Sequence, residues 1–102
     1  MNMKLKFFTT YDSKVEMYLQ PFVMRSRGEA IRSWTQICND PKTQFNQHPS
    51  DFTLFEIGEY DEETGALIPY HAKVSLGLAL EFKKETDETM TLAKPLQAVN
   101  NK

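Results

Sequence analysis

Residues 25–40 constrain this chain more than any other stretch. In Arg25-Ser26-Arg27-Gly28-Glu29-Ala30-Ile31-Arg32-Ser33-Trp34-Thr35-Gln36-Ile37-Cys38-Asn39-Asp40, the residues Ala30, Ile31, Trp34, Ile37 and Cys38 recur at helical spacing and share one face. Arg32, Ser33, Thr35 and Gln36 fall on the rest of the cylinder. Ser26 followed three residues later by Glu29 reads as a capping box, each side chain satisfying an otherwise orphaned backbone N–H. Pro41 ends the helix, because it lacks a donor and pushes Asp40 out of helical geometry. Burying Ile31, Trp34 and Ile37 would contribute roughly 1.5–3 kcal/mol each, so this face needs a partner surface. A sheet is the expected one.

The flanking sequence supplies the strands. Met3, Leu5, Phe7 and Thr9 alternate with Lys4, Lys6, Phe8 and Thr10, which predicts a strand with a mainly apolar and a mainly basic face. Tyr11-Asp12-Ser13 reads as a turn. Lys14 to Met24 suggests a second extended segment, with Pro21 marking an edge or a bulge. Pro41 to Ser50 is polar and reads as a loop that Phe45 pins to the core. Phe52 to Tyr60 is the best strand, and Asp61-Glu62-Glu63-Thr64-Gly65 its turn, with Gly65 free to take a positive φ. Ala66-Leu67-Ile68 returns as the hairpin partner and Pro69 closes it. Val74 to Phe82 joins the core as a last strand or short helix.

These elements predict an α+β fold: a small, mostly antiparallel sheet with one main helix packed on it. One domain over residues 1–84 is expected, with residues 85–102, polar and free of aromatics, as a flexible C-terminal tail. The single cysteine excludes an internal disulfide. No run is long and apolar enough to span a bilayer and no signal-like segment is present, so no membrane association is expected and the cytosol is the default. The net charge of −2 argues against a strongly basic nucleic-acid binder. The charge is nevertheless split: residues 1–50 hold seven Lys/Arg against four Asp/Glu, and residues 51–102 hold five against ten. A polyanion would meet the N-terminal half.

Catalytic readings find little support. Cys38 lies on the apolar helix face and reads as a buried, inert thiol. His48 and His71 share no zinc-ligand spacing with it. Asp61-Glu62-Glu63 on a hairpin tip are solvated turn residues, since a general acid needs burial to raise its pKa. The four glycines form no phosphate-cradling loop, and no nucleophile motif occurs. The expectation is a non-enzyme that needs no cofactor and no metal.

One constellation stands out. Lys4, Lys6, Lys14, Arg25, Arg27 and Arg32 are interleaved with Phe7, Phe8, Tyr11, Tyr18 and Phe22. Single-strand binders need that mixture: cations to follow phosphates, and rings on which unpaired bases stack at about 1–3 kcal/mol per base. Arg25 and Arg27 flank the helix N-terminus, which itself attracts phosphate.

Five short runs carry a family resemblance. Phe8-Thr9-Thr10-Tyr11-Asp12-Ser13-Lys14 is followed by Pro21-Phe22 and Ala30-Ile31-Arg32. His48-Pro49-Ser50-Asp51-Phe52-Thr53-Leu54-Phe55-Glu56-Ile57-Gly58-Glu59-Tyr60-Asp61 then precedes Thr64-Gly65. In this order they resemble the small non-structural protein of gokushoviruses, phages of the microvirus family with single-stranded DNA genomes. The resemblance covers about residues 4–80. It implies a DNA-binding accessory protein of the host cytoplasm, acting in single-stranded genome synthesis and packaging and absent from the mature capsid.

The reading is therefore a single-stranded DNA-binding protein. It would use Lys4, Lys6, Lys14, Arg25, Arg27 and Arg32 on phosphates and Tyr11 and Tyr18 as stacking platforms. Hydrophobic edge strands make a homodimer expected. The alternative is an interaction module that docks a replication, procapsid or host protein on an acidic hairpin, Glu56 to Glu63.

Overall fold

The computed structural model describes residues 4–84. The expected tail at 85–102 lies outside the described residues. Within them the fold is α+β: an antiparallel sheet of five strands carrying one long helix and shorter helical pieces. Strand β1 is Lys4–Asp12, followed by the short strands β2, Met17–Tyr18, and β3, Phe22–Met24. Helix α1 spans Arg27–Cys38. The segment expected to be a loop contains a helical turn, α2, Gln44–Gln47, and a 3-10 turn at Pro49–Asp51. Strand β4, Phe52–Asp61, and strand β5, Leu67–Leu78, form the hairpin, and α3, Ala79–Phe82, follows directly. The sheet order is β2-β1-β4-β5, and β3 shares with β2 the outer edge of β1.

Helix α1 is set by local chemistry. Ser26 Oγ accepts from the Glu29 N–H at 3.1 Å, and the Glu29 carboxylate accepts from the Arg25 N–H at 3.1 Å, one residue outside an ordinary capping box. Ala30, Trp34 and Cys38 are buried, whereas Ile37 is 37% exposed and only rims the core. The helix packs with Phe8, Phe52, Leu54 and Ala79 into one cluster, joined by the half-buried Phe22, Met24, Phe45 and Phe82. Phe45 does pin its segment, edge-to-face with Trp34 at 5.2 Å and Phe52 at 4.8 Å.

The strand faces are the reverse of what the alternation in β1 suggests. Opposed residues of an antiparallel pair share a face. Phe8 faces Glu56, Thr10 faces Leu54 and Asp12 faces Phe52, so the series Lys4, Lys6, Phe8, Thr10 lies on the helix side. Leu5, Phe7, Thr9 and Tyr11 lie on the opposite face with Tyr60, Phe55 and Thr53. The register slips between Phe7 and Phe8, because Ile57 is an extra residue on β4. No helix of the described residues covers that second face.

Pro69 does not close β5. The strand runs on to Leu78, which an edge strand permits because one row of its N–H groups needs no ladder partner. Residues 70–73 bulge out where β4 spends only Ile57, and the strand then rejoins at Val74. At Gly58 a Cβ would stand 2.7 Å from the Ile68 carbonyl oxygen, so glycine lets the two backbones meet there. Gly65 has φ +76°, as the turn requires.

Candidate nucleic-acid interface

Most of the expected cations are gathered, but around carboxylates. Glu56 is 1% exposed on the helix side of β4. Its carboxylate accepts from Arg27 Nε at 2.6 Å and from the Tyr70 hydroxyl at 2.5 Å, with Lys6 Nζ 3.7 Å away. Burial pushes this acid up, yet the hydrogen bonds from Tyr70 and Arg27 and the nearby positive charges outweigh burial and hold it below the ordinary value. Burial and the carboxylate raise the Tyr70 hydroxyl in turn. The hydrogen bond to Glu59, 3.1 Å long, raises Lys6, and the bond to Glu56 raises Arg27. Lys4 lies 3.8 Å from Glu59 and Arg25 3.9 Å from Glu62. The cluster ties α1 to β1, β4 and β5.

The other face offers a different surface. Tyr11 and Tyr18 are paired across β1 and β2, with ring centroids 4.7 Å apart. Phe55 stands edge-on to Tyr18 at 6.1 Å. Lys73, from the bulge of β5, places Nζ 5.4 Å from the centre of the Tyr18 ring, a cation–π contact. Tyr18 remains 47% exposed. Lys14 is exposed on the turn just beyond the tyrosine pair. Beside Tyr18 runs a groove of about 420 Å³, walled by Thr9, Leu19, Pro21, Ile57, Pro69, Tyr70 and Lys73. It shares Pro21, Ile57 and Pro69 with a second, apolar hollow of about 240 Å³ that reaches Phe7, Leu67 and Ile68.

The eight residues expected to form one site thus fall into three groups. Tyr11 and Tyr18 belong to the open face, with Lys14 exposed on the turn that joins their strands. Lys4, Lys6, Arg25 and Arg27 are engaged by Glu56, Glu59 and Glu62. Arg32 lines a shallow groove beside α1 with Arg25, Glu29 and Val23. The helix N-terminus already holds the Ser26 hydroxyl and the Glu29 carboxylate. Phe55 and Lys73 were not singled out by sequence. Phe55 carried a signal, since Thr53, Phe55 and Ile57 alternate against the buried Phe52 and Leu54. Lys73 carries none, because Pro69 predicts the end of the strand before it.

The acidic hairpin divides: its turn residues Glu62 and Glu63 are exposed, and the acids nearer the sheet are engaged. Glu56 is buried, and Glu59 and Glu62 face cations of the same chain. Cys38 is buried, its thiol pushed up to about 11 by desolvation. Among the described residues no three His, Cys, Asp or Glu side chains gather where a metal could sit, and no helix is long and apolar enough to cross a membrane.

Comparison with known proteins returns one family. No curated protein and no solved structure matches the chain. The sequence model of a family described as Phage ORF5 protein matches residues 5–82, which takes in every strand and the whole of α1 except the first residue of β1. The chain belongs to the Phage ORF5 protein family.

Proposed function

We propose that this phage protein binds single-stranded DNA on the open face of its sheet, as an accessory factor in synthesis and packaging of the phage genome. The observation that carries the reading is the exposed Tyr18 ring, flanked by Tyr11 and Phe55 and capped by Lys73. Rings stack on unpaired bases, and the Lys73 ammonium over the Tyr18 ring is near enough to meet the phosphate of a stacked nucleotide. Lys14 extends the cationic border. Duplex DNA hides its base faces, so the site favours single strands. Resemblance to the gokushovirus protein supplies the genome context, and host cytoplasm is the matching location.

Two lysines per copy make a weak site. Pairing of two copies would double it, in keeping with the expected homodimer. Lys4, Lys6, Arg25 and Arg27 add little direct phosphate contact in this reading, because each already faces a carboxylate.

The test is binding of a labelled oligo(dT) across a salt titration, with duplex DNA alongside. Two phosphate contacts per copy give a log–log slope of about −1.4 on single strands. Single-strand preference with a slope of that size or twice that, for two copies, supports the reading. Absence of binding at low salt removes DNA as the ligand.

A further inference from the structure

The groove beside Tyr18 has an uneven supply of chemistry. Of its wall side chains, Leu19, Pro21, Ile57 and Pro69 offer only carbon. Its two wall hydroxyls have their protons committed inside the protein: Thr9 Oγ1 donates to the Leu19 carbonyl at 2.8 Å, and the Tyr70 hydroxyl donates to Glu56 at 2.5 Å. Lys73 Nζ is drawn over the Tyr18 ring. Apart from Lys73 and the rim hydroxyl of Tyr18, no described wall side chain keeps a donor free to meet a base edge.

Resting on the single-strand reading above, we propose that this site holds unpaired bases by their faces alone, and so binds RNA and DNA strands alike with little regard to sequence. Telling bases apart requires donors and acceptors aimed at their edges. Telling RNA from DNA requires a partner for the 2′-hydroxyl. The wall side chains supply few such groups, while the Tyr11–Tyr18–Phe55 rings and the apolar floor accept any base face. The cation of the track sits at its tyrosine end, where Lys73 Nζ lies over the Tyr18 ring. From Tyr11 back to Phe7 is four residues of β1, about 13 Å at roughly 3.3 Å per residue. At about 3.4 Å per stacked nucleotide, the track holds about four bases.

The experiment uses the full chain and fluorescence anisotropy with labelled 12-mers at one low salt concentration: oligo(dU), oligo(rU), oligo(dT), oligo(dC) and an abasic deoxyribose-phosphate strand. The four base-bearing strands should bind within about threefold of one another. The abasic strand should bind at least fivefold more weakly, as loss of even one stacked base requires. In Tyr18→Ala that gap should shrink, with circular dichroism confirming that the variant is folded. A difference above tenfold between oligo(rU) and oligo(dU), or between oligo(dT) and oligo(dC), overturns the proposal by revealing edge or sugar readout. Equal binding of the abasic strand overturns it in favour of phosphate contacts alone, with the single-strand site itself intact. Failure of all five strands to bind removes the underlying site as well.

Discussion

Glu56 is the residue on which most of the polar structure converges. A carboxylate 1% exposed persists there because Arg27, Tyr70 and Lys6 surround it from three other elements. Removing it leaves those partners with nothing to bond, so Glu56→Ala is expected to cost about 2 kcal/mol. That corresponds to about 8–16 °C in Tm for a domain of this size. The pH dependence follows from the direction of the shift. Glu56 is held below its ordinary value of 4.5 in the fold, so its stabilisation is complete above that value and disappears as pH falls through the lower, folded one. Tyr70 is raised above 10.0, so its share is complete below that value and is lost as pH climbs through the higher, folded one. Thermal melts from pH 3 to 7 should show Glu56→Gln below wild type at neutral pH and converging with it in acid. Curves that stay parallel would show that the carboxylate charge contributes nothing.

At the scale of elements, two glycines in opposite settings test the packing. Gly58→Ala drives a Cβ to 2.7 Å from the Ile68 carbonyl and 3.1 Å from Pro69 Cα, both backbone atoms of β5 that cannot swing aside. The expected cost is about 1–3 kcal/mol, read as a lowered denaturant midpoint. Gly28→Ala, in the first turn of α1, meets only Ser26 Oγ at 3.8 Å and should stabilise by about 0.5–1 kcal/mol. The helix, its cap, the hairpin turn and β4 were all legible in the sequence, because capping, turn chemistry and short-period patterns act within a few residues. The faces of β1 were not. Phe8 and Thr10 share a side with Lys4 and Lys6, and the lysines are tolerated there only because Glu56 and Glu59 stand opposite. That fact depends on cross-strand register, which a bulge at Ile57 sets. The passage of β5 through Pro69 depends on its being an edge, also a tertiary property. Tyr11, Tyr18 and Lys14 can be proposed from residue type alone, whereas Lys73 comes to the tyrosines only through the bulge of β5.

For the whole molecule, the sheet separates two kinds of charge. On the helix side cations and carboxylates neutralise one another and hold the fold together; on the open face Lys73 borders a patch of aromatic rings, with Lys14 exposed on the adjoining turn. On the proposed function, a net charge of −2 is compatible with single-strand binding, because the rings would carry part of the affinity that a basic protein draws from charge. Tyr18→Ala should therefore weaken oligo(dT) binding by about five- to 150-fold, the equivalent of one stacked base, with little change in the salt slope. The most direct measurement compares two charge-reversal pairs in oligo(dT) binding at low salt. Lys14→Glu with Lys73→Glu should abolish binding and Lys4→Glu with Arg25→Glu should leave it within about threefold, both variants keeping the wild-type circular dichroism spectrum. The opposite pattern, with loss confined to the Lys4 and Arg25 pair, would contradict the account and move the site to the helix side of the sheet.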